Sequence, residues 1–219
     1  MRIAIVTETF LPKVDGIVNT MCRLLEHLDR RGHQSIMFAP QGAPSVYART
    51  SIIQPLSLPF PLYPELKLGT PFAHLEKHLD HFKPDLIHVV NPVSLGLAGT
   101  HYARSNDIPL IASYHTDIPG YTSRYGVPFM ADIVWSYFRW IHNQADLNLC
   151  PSRHTLKELE LQGFNNLRLW SRGVDIEKFA PSKSSMEWRL RLTSGNPEAL
   201  LMLFVGRLAT EKRIDWLLP

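Results

Sequence analysis

At 219 residues, 45% hydrophobic and 20% charged, the chain has the make-up of a globular protein with room for one large domain, or one domain and part of another. A net charge of +3 is too weak to argue for nucleic acid and is compatible with anionic lipids or phosphates. No run reaches the roughly 18 apolar residues of a membrane span. Two cysteines, Cys22 and Cys150, are too few for a disulfide scaffold, and their apolar settings predict reduced thiols in the cytoplasm.

Residues 2–7 are a short apolar run that meets Glu8, which reads as a strand buried on both faces rather than a signal peptide. Ile17, Met21, Leu24, Leu25 and Leu28 then fall at helical spacing, and Gly32 supplies the stop. SIMFA (35–39) predicts a second strand. Residues 40–70 are loop-rich, with Pro44, Pro55, Pro59, Pro61 and Pro64, and a short strand is expected near Ile52. Phe72, Leu75, Leu79 and Phe82 mark a helix; DLIHVV (85–90) is a strand, 94–105 a helix, and PLIASYH (109–115) a strand. An aromatic-rich helix over 128–144, a strand over 146–150, a helix over 152–162 capped by Ser152, and a strand over 166–170 complete the series. The alternation predicts a Rossmann-like parallel α/β sheet with helices on both faces, whose ligands bind beyond the carboxyl ends of the strands.

A boundary is expected near 182. Residues 1–182 read as a complete domain, and 183–219 as the start of a second α/β domain, with MEWRLRL helical, ALLMLFV (199–205) a buried strand, and TEKRIDWLL opening a helix. The rest of that domain is expected to be missing, which leaves Leu201, Leu203, Phe204, Trp216 and Leu217 short of partners.

The expected rim of strand ends holds most of the polar candidates. The loop over 7–16 contains one glycine, Gly16, and the strand over 35–39 ends without an acidic residue, so the dinucleotide fingerprint fails; the Walker pattern and the serine elbow are absent too. Gly16 opens a helix, either as a turn glycine or to let a ligand's anion come close. Arg207 and Lys212 follow Gly206 in a strand–loop–helix unit, as a phosphate grip or as an ordinary charged helix start. His74, His78 and His81 share the solvated flank of one helix without a fourth ligand, so no metal site is expected. The helix over 129–142 is apolar on more than one face, as a core element or as a lipid-facing surface with Arg124 and Arg139 near headgroups.

In combination, "TETFLPKVDGIV", "DLIHVVNP", "ASYHTDIPGYTSRYG", "NLCPS", "LWSRGVDIEKFAP" and "FVGRLATEK" resemble the retaining glycosyltransferases of the two-domain GT-B type. "PLYPELKL", "SYHT" with a downstream "RYG", and "RLWSRGVD" are most similar to the sulfoquinovosyltransferases, the sulfolipid synthases. The resemblance spans essentially the whole chain. It implies a GT-B architecture in which the first domain binds the acceptor and the second holds most of the nucleotide-sugar. It also implies transfer of sulfoquinovose from UDP-sulfoquinovose to diacylglycerol at a membrane surface, with no metal or cofactor required and no nucleic acid partner.

His115 would face the transferred sugar as the catalytic residue. Gly16, Arg207 and Lys212 would hold the donor diphosphate, and Lys13, Asp15, Tyr121 and Arg124 would contact sugar or acceptor. The family's pair of second-domain glutamates lies beyond Pro219, so this chain by itself is expected to be inactive. A related α-glucosyl- or mannosyltransferase of lipid acceptors is the near alternative, and a non-catalytic nucleotide-sugar or lipid-headgroup binding fragment the distant one.

Overall fold

The computed structural model describes residues 1–60, 63–69, 72–117, 119–120, 122, 128–206, 208 and 214–217, with the backbone alone at 57–60, 63–69, 72–74, 128, 215 and 217. Two compact units divide the chain, Met1–Ser171 and Arg172–Pro219.

The first unit is built on an eight-stranded sheet. Its strands are β1 (Arg2–Thr7), β2 (Gln34–Phe38), β3 (Val46–Tyr47), β4 (Thr50–Ile53), β7 (Leu86–Val90), β8 (Leu110–Ser113), β9 (Leu147–Cys150) and β10 (Leu167–Leu169). They lie in the order β10-β9-β8-β7-β1-β2-β4-β3, and only the β3–β4 pairing is antiparallel. β5 (Ser57–Phe60) and β6 (Tyr63–Gly69) form a separate antiparallel pair. The helices are α1 (Gly16–Arg30), α2 (Phe72–Phe82), α3 (Leu95–Ser105), α4 (Ala131–His142), entered through a 3₁₀ turn at Pro128–Met130, and α5 (Arg153–Leu161).

β1 shows why this sheet is buried on both faces. Strand side chains alternate, so Ile3 and Ile5 join one core with Val18, Met21, Leu25 and Leu28 of α1. Ala4 and Val6 join the other core with Leu75 and Leu79 of α2 and with Leu95 and Ala98 of α3. Each fully buried aliphatic side chain contributes about 1.5–3 kcal/mol. A third cluster joins Tyr114, Phe138, Cys150, Leu159 and Phe164 under α4 and α5. His142 is enclosed there, with Nδ1 2.7 Å from Asn148 Oδ1, and burial pushes it down to about 4.

From β1 the chain moves outward through α1 to β2, then returns to place β7 on the other side of β1. The carboxyl ends of β1 and β7 therefore flank the point where the strand order reverses, and the crevice of an open parallel sheet forms there. α3 sits tightly against this pair. A Cβ on Gly99 would come 3.0 Å from Val6 Cγ2 and 3.1 Å from Val89 Cγ1.

Several expectations change. Residues 40–70 are not simply loop: Pro55, Pro59, Pro61 and Pro64 obscured β5 and β6, whose two-stranded pair gives Pro59 an edge, where a missing N–H is tolerated. The strand expected over 199–205 does not form. Residues 200–205 pair with no described strand, and a strand exists only through pairing. Leu200, Met202 and Val205 are exposed instead.

The second unit contains α6 (Met186–Leu192), N-capped by Ser185, with Arg189 donating to the carbonyls of Pro197 and Ala199. Leu201, Leu203, Phe204 and Trp216 are all exposed.

The close seat of α3 gives a stability expectation. Gly99→Ala should lower the urea unfolding free energy by about 1–3 kcal/mol, because both valines must give way; an unchanged midpoint would show that the helix can retreat without cost.

Candidate functional site

Three polar groups of the crevice come from strand ends far apart in sequence. The first is Glu8, one residue past β1 and only 4% exposed. Its carboxylate accepts from the N–H groups of Val93 (3.2 Å) and Gly96 (3.1 Å) and from the Ser94 hydroxyl (3.4 Å). Ser94, at the N-cap of α3, makes no side-chain cap of its own. Glu8 therefore satisfies the start of a helix more than eighty residues away. Tyr137 of α4 donates to the Val93 carbonyl and fixes the same turn. Burial pushes the Glu8 carboxyl up to about 7, against the N–H donors that pull it down.

The second group is Asn91, which follows β7 with φ 51°. Left-handed backbone is most readily taken by Asn among residues other than Gly. Its N–H donates to the Ser113 carbonyl (2.7 Å), and its Oδ1 accepts from the backbone N–H of Thr116 (3.2 Å) and, less closely, of His115 (3.4 Å). The third is His115 itself, whose Nε2 lies 3.1 Å from Ser113 Oγ. Beneath it, buried His88 of β7 places Nε2 2.9 Å from the same Oγ. Trp170, just past β10, sets its ring against both histidines, with centroids 5.9 Å from His88 and 5.8 Å from His115. Burial drives His88 down to about 3, with the neighbouring His115 adding to the effect.

The loop leaving β1 ends on the same rim. Asp15 is the N-cap of α1 and accepts from the N–H groups of Ile17 and Val18, both at 2.9 Å. Lys13 Nζ lies 3.4 Å from its other oxygen. Gly16 is the first residue of α1 and is not among the positive-φ glycines. A left-handed turn therefore does not account for the glycine.

Of the residues singled out in the sequence, the structure places His115 on the loop after β8, Lys13 and Asp15 on the loop after β1, and Gly16 at the start of α1. Tyr121, Arg124, Arg207 and Lys212 lie outside the described residues. Ser152 caps α5 as expected, accepting from the Thr155 N–H at 3.1 Å. Among the described residues no cluster of histidine, cysteine and carboxylate side chains could hold a metal. Both cysteines are free thiols, Cys150 buried and Cys22 half-buried. Sequence reasoning missed Glu8, Asn91, Ser113, His88 and Trp170 as members of one cluster. One signal was available, a histidine inside the apolar run of β7.

Residues 14–178 match Glycosyltransferase Family 4. The chain is 39% identical to a GDP-mannose-dependent alpha-mannosyltransferase of Mycobacterium tuberculosis, over 98% of this chain and 58% of the relative. It is 34% identical to a sulfoquinovosyl transferase of Arabidopsis thaliana, over 93% of this chain and 41% of the relative. An alpha-monoglucosyldiacylglycerol synthase of Streptococcus pneumoniae is 27% identical over 98% of this chain and 51% of the relative. The chain thus spans about half the length of these curated relatives. Among solved structures, the sucrose-phosphate synthase of Thermosynechococcus elongatus shares the fold, with a TM-score of 0.58 at 14% identity over 88% of this chain and 52% of that one.

The buried carboxyl makes stability depend on pH. Glu8 is raised in the folded state from 4.5 to about 7, so the fold binds more protons than the unfolded chain in that window. Its contribution is full below 4.5 and is lost as pH rises through 7, an effect on the order of 3 kcal/mol. Gln cannot ionise, so Glu8→Gln should gain on the parent protein by about that amount between acid and neutral pH, read from urea midpoints across the range. Groups other than Glu8 are common to both proteins and cancel; a constant difference would show that Glu8 keeps its ordinary acidity.

Proposed function

Because the chain belongs to glycosyltransferase family 4, we propose that it supplies the acceptor-side domain of an enzyme that transfers a sugar from a nucleotide-sugar to a lipid acceptor. The observation that carries this reading is the reversal of strand order at β1–β7, with Gly16 at the start of α1 and His115 after β8 at the same end of the sheet.

The roles follow from the chemistry. As the bond to the anomeric carbon breaks, negative charge gathers on the departing diphosphate, and fixed amides and cations lower that barrier. Gly16 allows the start of α1 to approach the diphosphate, while Asp15 already occupies the Ile17 and Val18 N–H groups and draws Lys13 beside it. Arg207 and Lys212 are the proposed cations of the leaving group, and His115 the contact to the sugar. Tyr121 and Arg124 would face sugar or acceptor. No metal or cofactor enters this scheme. The second domain, from residue 183 on, would provide the rest of the donor site.

A lipid acceptor is supported by α4. Ile133 and Trp140, seven residues apart on one helical face, are 66% and 52% exposed, and Phe129 one turn earlier is 77% exposed. Among the described residues no helix is long and apolar enough to cross a membrane, so contact would be made from the surface.

For the donor, the motifs that resemble sulfoquinovosyltransferases support UDP-sulfoquinovose, with diacylglycerol as acceptor. The greater identity to mannosyltransferases, 39% against 34%, favours a second reading with GDP-mannose. Incubating the protein at the length of its relatives with diacylglycerol vesicles and each labelled nucleotide-sugar, then analysing the lipid products, separates the two. Labelled sulfolipid is expected. Product from GDP-mannose alone would move the donor assignment, and no lipid product from any donor would overturn the reading.

Gly16→Val tests the phosphate loop. A side chain there should weaken donor binding about tenfold or more, close to 1.4 kcal/mol. The melting temperature should fall by no more than a few degrees. Binding lost only in proportion to unfolded protein would return Gly16 to a purely structural part.

A further inference from the structure

We infer that Ser113 and His88 are positioning residues that set the tautomer and ring orientation of His115. The inference rests on the reading of His115 as the side chain that meets the transferred sugar. Three polar atoms stand in a row from the sheet interior to the rim: His88 Nε2, Ser113 Oγ at 2.9 Å from it, and His115 Nε2 at 3.1 Å from the hydroxyl. Ser113 is fully buried, and His88 is 5% exposed.

A serine hydroxyl has one proton to donate and can accept from other donors. Between two imidazole nitrogens it makes two good bonds when one nitrogen carries a proton and the other is bare. Two bare nitrogens would leave one facing the oxygen lone pairs. Two protonated nitrogens would turn the hydroxyl's own proton away from both, unpaired in a dry interior, which is costly. Burial keeps His88 neutral, so it holds a single ring proton. With His115 neutral as well, the two histidines are thereby held in opposite tautomers, and the choice made at one is passed through Ser113 to the other. That choice decides whether His115 offers Nδ1 as a donor or as an acceptor on the other side of its ring.

The ring plane is fixed as well. Turning His115 over would set a carbon against Ser113 Oγ, and the Trp170 ring borders both imidazoles. Asn91 Oδ1 holds the backbone of Thr116 beside it. A hydrogen bond to a sugar hydroxyl needs the right polarity as well as the right place, and this row of atoms supplies both.

The test reads tautomers directly. Long-range ¹⁵N–¹H spectra of the ¹⁵N-labelled chain at alkaline pH, assigned with His88 and His115 variants, should show opposite single tautomers for the two residues. Ser113→Ala should leave His115 as a mixture, and Ser113→Thr, which keeps the hydroxyl, should restore one form. Should Ser113→Ala not fold, His88→Gln takes its place: its amide can donate to Ser113 or accept from it, so His115 should again be mixed. Like tautomers in the parent protein, or an unaltered His115 in these variants, would overturn the inference.

In the transfer assay Ser113→Ala should lower kcat about tenfold or more. The donor KM should change less than about twofold, since the lost interaction acts on the reacting sugar. Coupled tautomers with unchanged kcat would support the positioning row and remove His115 from the chemistry instead.

Discussion

A carboxyl group carried out of water at the end of β1 ties the two halves of the sheet together. Glu8 closes the amino end of α3 across the β1–β7 reversal, and the same turn carries Asn91, which in turn holds the backbone of the β8 loop. Without Glu8 the first N–H groups of α3 would face a buried wall with no side-chain cap. Two rim loops thus inherit their positions from a single side chain. The tight fit of Gly99 on Val6 and Val89 keeps that geometry from drifting, because α3 rests on the strands that bear both ends of the link.

Much of the fold was legible because its signals are local. β1 and α1 announce themselves through an unbroken apolar run and a helical apolar spacing, and Ser152 marks α5 three residues from the N–H it caps. Prolines misled the reading of 40–70, since their prohibition holds for central strands and not for the edges that β5 and β6 provide. The run over 199–205 misled in the opposite way. Its composition suits a buried strand, but composition supplies no pairing partner, and the exposed Leu200, Met202 and Val205 show the result.

The site was legible only in part, for a related reason. His115 and Gly16 stood out through resemblance and through their places at the ends of predicted elements. Glu8 looked like the polar end of a strand, because its partners lie at Val93 and Gly96 and only the fold brings them near. His88 and Ser113 belong to different strands, and their shared hydroxyl depends on the parallel pairing of β7 with β8, in which Val90 faces Ser113. Spacing along one strand cannot reveal such a relation. A polar residue interrupting DLIHVV was its trace, since a buried histidine is tolerated where its ring nitrogen finds a partner.

The ionisation of these buried groups shapes what the crevice can bind. His88 is held neutral by burial, Asn91 and Ser113 carry no charge, and Glu8 is protonated on the acid side of about 7. The floor of the crevice is therefore polar and close to uncharged under mildly acidic conditions. Above that pH it gains one carboxylate, turned toward α3 rather than toward the rim loops of β8. In a low-dielectric setting each fixed charge acts more strongly than it would in water. A neutral floor thus leaves recognition of an anion to the rim, where Lys13 and Asp15 already oppose each other 3.4 Å apart. Because that pair nearly cancels, Lys13 brings hydrogen-bond geometry to the rim more than net charge. In the proposed division of labour His115 orients the sugar, and cations such as Arg207 and Lys212 neutralise the departing diphosphate.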